Sequence, residues 1–153
     1  DTLDHIEYYN NTLLKERKKG FGAFWRFESM KPGTIVLSRD ADSRLSLRER
    51  KIIDSWLESD KKMCVIRDHK NHYEFPILAG MFGIKDGLGE ENLKLINNYN
   101  HISQYLIDQI YLKNHVWPSF KNDVDIYGIQ ETAWMKETYS EIGRHFIGQV
   151  YTD

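Results

Sequence analysis

The sequence predicts an α/β fold, a sheet flanked by helices, on three observations. Two short apolar runs, "TIVLS" at 34–38 and "KMCVIRD" at 62–68, have the length and composition of buried strands. Between them lies one amphipathic segment with a helix start signal. Both runs also end in Arg-Asp, at Arg39-Asp40 and Arg67-Asp68. Such a strand–helix–strand rhythm places a site outside the carboxyl ends of the strands.

Each element follows in order. Leu3, Ile6, Leu13 and Leu14 have loose helical spacing, so a helix is expected over 3–19, closing on "KERKK" before Gly20. That charge run reads as a solvated helix end rather than a nucleic-acid patch. "GFGAFWRFESM" is short and aromatic, and "KPGT" is a turn. The strand at 34–38 is apolar on both faces, which predicts a central position in the sheet. Ser46 with Glu49 forms a capping-box pattern, and Ile52, Ile53, Trp56 and Leu57 then share one helical face to about Ser59-Asp60. After the second strand, Gly80 and Gly83 bracket Met81-Phe82. Glycines inside an apolar stretch mark close approach of backbone or ligand. Helical patterning returns over 90–114 through Leu93, Ile96, Tyr99, Ile102, Leu106 and Ile110, and "HVWP" is expected to stop it. "VDIYGI" reads as a short strand. No repeat, low-complexity tract or linker divides the chain, so 1–153 is expected to be a single domain.

Bulk composition excludes some functions. The chain has 153 residues, enough for one domain with a real core. A net charge of −2 gives no basis for nucleic-acid binding, which favours a strongly basic surface. No apolar run approaches the roughly 20 residues needed to cross a bilayer, so no transmembrane segment is expected. Cys64 is the one cysteine, which rules out an internal disulfide and suggests a reducing, cytoplasmic setting. The first residue is Asp1 rather than Met, which reads as a trimmed start.

The first candidate site is the pair Asp40 and Asp42. Two hard carboxylates two residues apart suit Mn²⁺, with Mg²⁺ as the alternative, and such an ion completes its shell with water and phosphate. Arg39, Arg44 and Arg48 stand close enough in sequence to help with phosphate oxygens. The plainer alternative is a surface turn with local Asp–Arg pairs. At the second strand end, Asp68 and His69 would face the same crevice if the two strands are neighbours. There they would orient an acceptor hydroxyl or act as a base. The alternative is a polar loop in which Asp68 caps or pairs with Arg67. Zinc at His69 and His72 lacks any supporting Cys or HExxH pattern.

Six segments in one order carry a more specific signal: "WRF" (25–27), "SRDADSRLSLRE" (38–49), "WLES" (56–59), "IRDHKNH" (66–72), "GMFGIK" (80–85) and "DQIYL" (108–112). Together they resemble nucleotide-sugar glycosyltransferases of the GT-A fold. The members concerned occur in large algal viruses and bacterial polysaccharide clusters, and the likeness is greatest to the chlorella-virus branch. The resemblance covers most of residues 20 to 115. It implies a GT-A-like, Rossmann-like mixed sheet that lacks part of its N-terminal nucleotide-binding unit. It also implies transfer of a sugar from a UDP-sugar donor to a glycan acceptor. The family's DXD motif falls on Asp40, Ala41 and Asp42, which would hold Mn²⁺ against the diphosphate, with Arg39 near the donor. Gly80 would let the donor sugar pack against backbone, and His69, Met81 and Phe82 would line the sugar or acceptor side. Asp68 and Asp108 are the catalytic candidates it implies, and His145 a late metal or phosphate ligand. Phe82 departs from the family's more frequent Trp.

Two other functions fit parts of the pattern. A haloacid-dehalogenase-like phosphohydrolase would use Asp40 as nucleophile and Asp42 as acid/base, but a later Gly-x-x-x-Asp-Asp segment is missing. A non-catalytic glycan-binding remnant would keep the aromatics without the chemistry.

Overall fold

The computed structural model describes residues 22–99, 102, 104–142 and 145–151. The helix expected over 3–19 lies outside the described residues. The fold is mixed α/β: a four-stranded mixed sheet flanked by helices. A 3₁₀ turn (Gly22–Phe24) leads into α1 (Trp25–Glu28), then β1 (Ile35–Arg39), α2 (Leu47–Glu58), β2 (Met63–Arg67) and β3 (Met81–Lys85). Next come α3 (Glu90–Leu95), α4 (Ile107–Tyr111), a π-helical turn (Leu112–Val116), α5 (Trp117–Phe120), β4 (Val124–Gly128) and α6 (Ala133–Ile142). Among the described residues no helix is long and apolar enough to cross a membrane.

Strand order is β1-β3-β2-β4. β3 runs antiparallel to both β1 and β2, and β2 is parallel to β4. So β1, β2 and β4 point the same way, and β3 is interposed between β1 and β2, which are therefore not neighbours. Alternation along the strands builds two cores. Met63, Val65, Phe82 and Ile84 face Phe24, Phe27, Tyr111 and Leu112. Cys64, Ile66 and Met81 face Ile52, Trp56 of α2 and Met135 of α6. Gly83 is a strand residue without a side chain because Trp56 and Leu37 occupy its Cβ position. Cys64 is fully buried, and burial pushes its thiol up to about 12.

Several expectations are corrected. The "TIVLS" segment forms an edge strand, not a central one, among the described residues. Ile35 is 62% exposed and Leu37 43%. Its apolar residues outnumber the partners available on its outer side. The helix begins as predicted, with Ser46 as N-cap accepting from the Glu49 amide at 3.1 Å. Glu49's carboxylate turns instead to Arg39, at 2.6 Å, so only half of the capping box forms. Leu57 is 45% exposed, off the buried face. The segment 90–114 is not one helix, because Leu106 takes a left-handed conformation (φ 62°) and α4 starts only after it. Nor does "HVWP" stop the chain's helical course, which runs through Pro118 to Phe120. The π turn before it widens the backbone, which relieves the clash of a proline ring with the preceding turn.

The rim away from the carboxyl ends of β1, β2 and β4 is closed by a clasp. The Gly33 amide donates to Asp86 Oδ1 at 2.7 Å, and the Asp86 amide to the Thr34 carbonyl at 2.8 Å. Gly33, Asp86 and Gly87 all have positive φ, and the backbone of Met30 and Lys31 fills the space a Gly87 side chain would need.

Candidate functional site

The opposite rim gathers the chemistry. Because three strands run parallel and β3 returns between them, Asp40, Asp68 and Gly128 share an edge with Gly80 and Met81. β1 ends at Arg39, so Asp40, Ala41 and Asp42 lie in the turn beyond it. That turn is closed by the Ser43 amide and hydroxyl, both donating to the Asp40 carbonyl at 3.3 and 2.9 Å. A late segment braces it: the Tyr151 amide donates to the Asp42 carbonyl at 3.1 Å, and Ser43 bridges to Val150.

Asp40 Oδ1 accepts from Arg26 Nη1 at 3.0 Å, and its side chain is 52% exposed. Its carboxylate occupies the space where a Cβ on residue 80 would sit, which is a direct reason for glycine there. Asp42 is exposed, and its carboxylate has no hydrogen bond or ion pair among the described residues. Beside Asp40 opens a cleft of ≈ 370 Å³ lined by Arg26, Asp40, Ala79, Tyr105, Asp108 and Gln109, among others. Asp108 stands in the first turn of α4, with Oδ1 accepting from the Gln109 amide at 2.9 Å. Burial raises its pKa, the Gln109 hydrogen bond and Arg26 pull it back, and Asp40 adds to the rise. Gln109 fixes the cleft wall by accepting from the Ala79 amide at 3.2 Å.

The other predicted residues are placed differently. Asp68 is fully buried and is gripped by Arg48, with Nε at 2.9 and 2.8 Å from its two oxygens and Nη2 at 2.7 Å. The Ile147 amide donates to it at 3.0 Å, and Arg48 continues to the Met135 carbonyl and Thr138 hydroxyl of α6. Asp68 therefore joins β2, α2, α6 and the late segment rather than lining the cleft. Arg39 pairs with Glu49 and donates to the Gly80 carbonyl at 2.8 Å. Burial raises the Glu49 pKa against the pull of Arg39. Arg44 lies over the Tyr151 ring at 4.4 Å. Met81 and Phe82 are core residues on opposite sheet faces.

His69 caps a 3₁₀ turn, its Nδ1 accepting from the Asn71 amide at 3.2 Å, and its ring stacks on Phe146 at 4.4 Å. His72 beside it is buried. Desolvation first, then the charge of His69, lowers its pKa to about 4, so it is neutral near pH 7. His145 precedes Phe146 in the chain and is exposed.

Asp40 and Asp108 thus line one cleft, with Gly80 packed against the Asp40 carboxylate and Asp42 in the exposed turn beyond β1. Arg26 and Gln109 belong there too and were not singled out by sequence. Arg26 carried only its place in "WRF". For a cation, the Asp42 carboxylate is unengaged among the described residues and Asp40 is half open to solvent. Mg²⁺ and Mn²⁺ accept such a small donor set when water and substrate phosphate supply the rest. No group of three or more His, Cys, Asp or Glu side chains placed to hold a metal occurs among the described residues. Comparison with protein-family models, curated proteins and solved structures finds no match.

Proposed function

We propose that the chain is a metal-dependent glycosyltransferase with a GT-A-like sheet, moving a sugar from a UDP-sugar to a glycan acceptor. The observation that carries the proposal is the cleft at the strand-end rim, where the exposed turn bearing Asp40 and Asp42 stands beside the half-buried Asp108. The ordered motifs shared with such transferases support it from the sequence. Asp40 and Asp42 would hold Mn²⁺ or Mg²⁺. When bound, that cation offsets the charge that grows on the departing diphosphate. Asp108 is the base: an acceptor hydroxyl forms a bond to the anomeric carbon, the bond from that carbon to the diphosphate oxygen breaks, and the hydroxyl proton passes to Asp108. A carboxyl with a raised pKa is a better proton acceptor than an ordinary one. Asp68 contributes by fixing the rim. A cytoplasmic enzyme of polysaccharide assembly fits the donor class and the thiol of Cys64.

Thermal unfolding with and without Mn²⁺, across a panel of nucleotide sugars, tests this. A UDP-sugar at a hundred times its Kd should stabilise the protein by about 2.7 kcal/mol. That gain should need Mn²⁺ and vanish in Asp42→Ala. Stabilisation that needs no metal and survives the substitution overturns the role of the carboxylate pair. Release of free phosphate from simple phosphate esters would favour a phosphohydrolase instead.

A further inference from the structure

We infer that Arg26 is an exchange residue of this site: it holds Asp40 while the cleft is without ligand, then yields it to the cation and turns to the donor's diphosphate. The inference rests on the glycosyltransferase reading and adds an order to it, in which metal and diphosphate are taken up as a coupled pair.

The mount of Arg26 is buried while its tip sits in a partly exposed ion pair. Phe24 and Phe27 on either side of it are buried, and both rings lie against Tyr111, at 5.6 and 5.2 Å. Tyr111 is one helical turn beyond Asp108, so the same aromatic cluster sets α1 against the α4 carboxylate. From this base the guanidinium reaches Asp40 Oδ1 at 3.0 Å, with 27% of the Arg26 side chain and 52% of the Asp40 side chain exposed. A pair that open to water is easily parted.

Charge makes the exchange directional. Among the described residues lining the cleft, Arg26 is the one cation, facing Asp40 and Asp108. The arginines nearer the Asp pair in sequence are engaged elsewhere: Arg39 on Glu49, Arg44 on Tyr151 and Arg48 on Asp68. A divalent ion held by Asp40 and Asp42 would compete with Arg26 for the charge of the Asp40 carboxylate, whose Oδ1 the arginine holds. Once displaced, the guanidinium would keep only the more distant charge of Asp108, to which it makes no bond among the described residues, and its planar fork matches phosphate oxygens. Phosphate therefore compensates Arg26 for the contact the metal removes, and each ligand assists the other.

The test reads two affinities in Arg26→Gln. Mn²⁺ binding without nucleotide, followed by electron paramagnetic resonance, should become about two- to five-fold tighter, because a competitor is gone. UDP-sugar binding at saturating Mn²⁺, followed by calorimetry, should weaken about ten-fold or more. Arg26→Lys keeps the charge without the fork and should fall between the two on the donor axis. It also serves if the glutamine variant unfolds. A merely structural Arg26 would shift both affinities in the same direction or neither, and that outcome overturns the exchange while leaving the transferase reading intact. Failure of the unaltered protein to bind either Mn²⁺ or UDP-sugar overturns both.

Discussion

A methyl group at position 80 would collide with the Asp40 carboxylate, and that collision is instructive because Asp40 is free to swing outward. Gly80→Ala should therefore cost little stability, under about 1 kcal/mol by chemical denaturation. It should nonetheless weaken the Mn²⁺-dependent response to a UDP-sugar, because Asp40 is pushed off its seat. A large stability loss with an intact response would contradict this. The glycine was legible in the sequence as a point of close approach. Its neighbour was not, since the contact spans forty residues and only the β1–β3 pairing creates it. Arg26 was illegible for a related reason. A single arginine in an aromatic stretch has no spacing signature, and its role depends on where α1 and β1 end relative to each other.

Elements were more legible in type than in surroundings. The α2 start, β2 and β4 follow from capping, apolar runs and β-branched content, which act locally. The edge position of β1 does not, because an apolar run reports what a strand prefers and not how many strands lie beside it. β3 was the least legible strand: "MFGIK" has two apolar faces but a central glycine, and that glycine makes sense only once Trp56 lies across it. Asp68 shows the same limit. Its Arg-Asp sequence suggested a pair with Arg67, whereas the partner is Arg48 on α2. Asp68→Asn should leave the Arg48 charge uncompensated, 12% exposed, and should cost roughly 3–5 kcal/mol in urea unfolding. A loss below about 1 kcal/mol would mean that the joint between β2, α2 and α6 does not depend on this pair.

Over the whole molecule, acid should act through His72. Its pKa falls from 6.5 to about 4 on folding, so the unfolded chain binds the proton more readily. The stability tied to neutral His72 is complete above pH 6.5 and is lost as pH falls towards 4. Between pH 7 and 4.5 this amounts to roughly 2–3 kcal/mol. The raised pKa values of Asp108 and Glu49 act with the opposite sign, favouring the folded state at low pH and losing that benefit as pH rises through them. The difference between the unaltered protein and His72→Gln isolates the histidine: the variant should show a flatter stability profile over this interval. Equal slopes would mean that His72 titrates alike in the folded and unfolded chain.

The two rims of the sheet also differ in how much change they tolerate. At one, the Gly33 amide is held by the Asp86 carboxylate, and Gly33, Asp86 and Gly87 take conformations that few residues adopt, so an insertion there would spring the clasp. At the other, the loops after β1, β2 and β4 leave the sheet in the same direction. Their tips, including Ala41, Lys70 and Gln130, are exposed. Substitutions at those tips should leave strand register intact. Such a division puts tolerance of change at the exposed tips of one rim and rigidity in the clasp of the other.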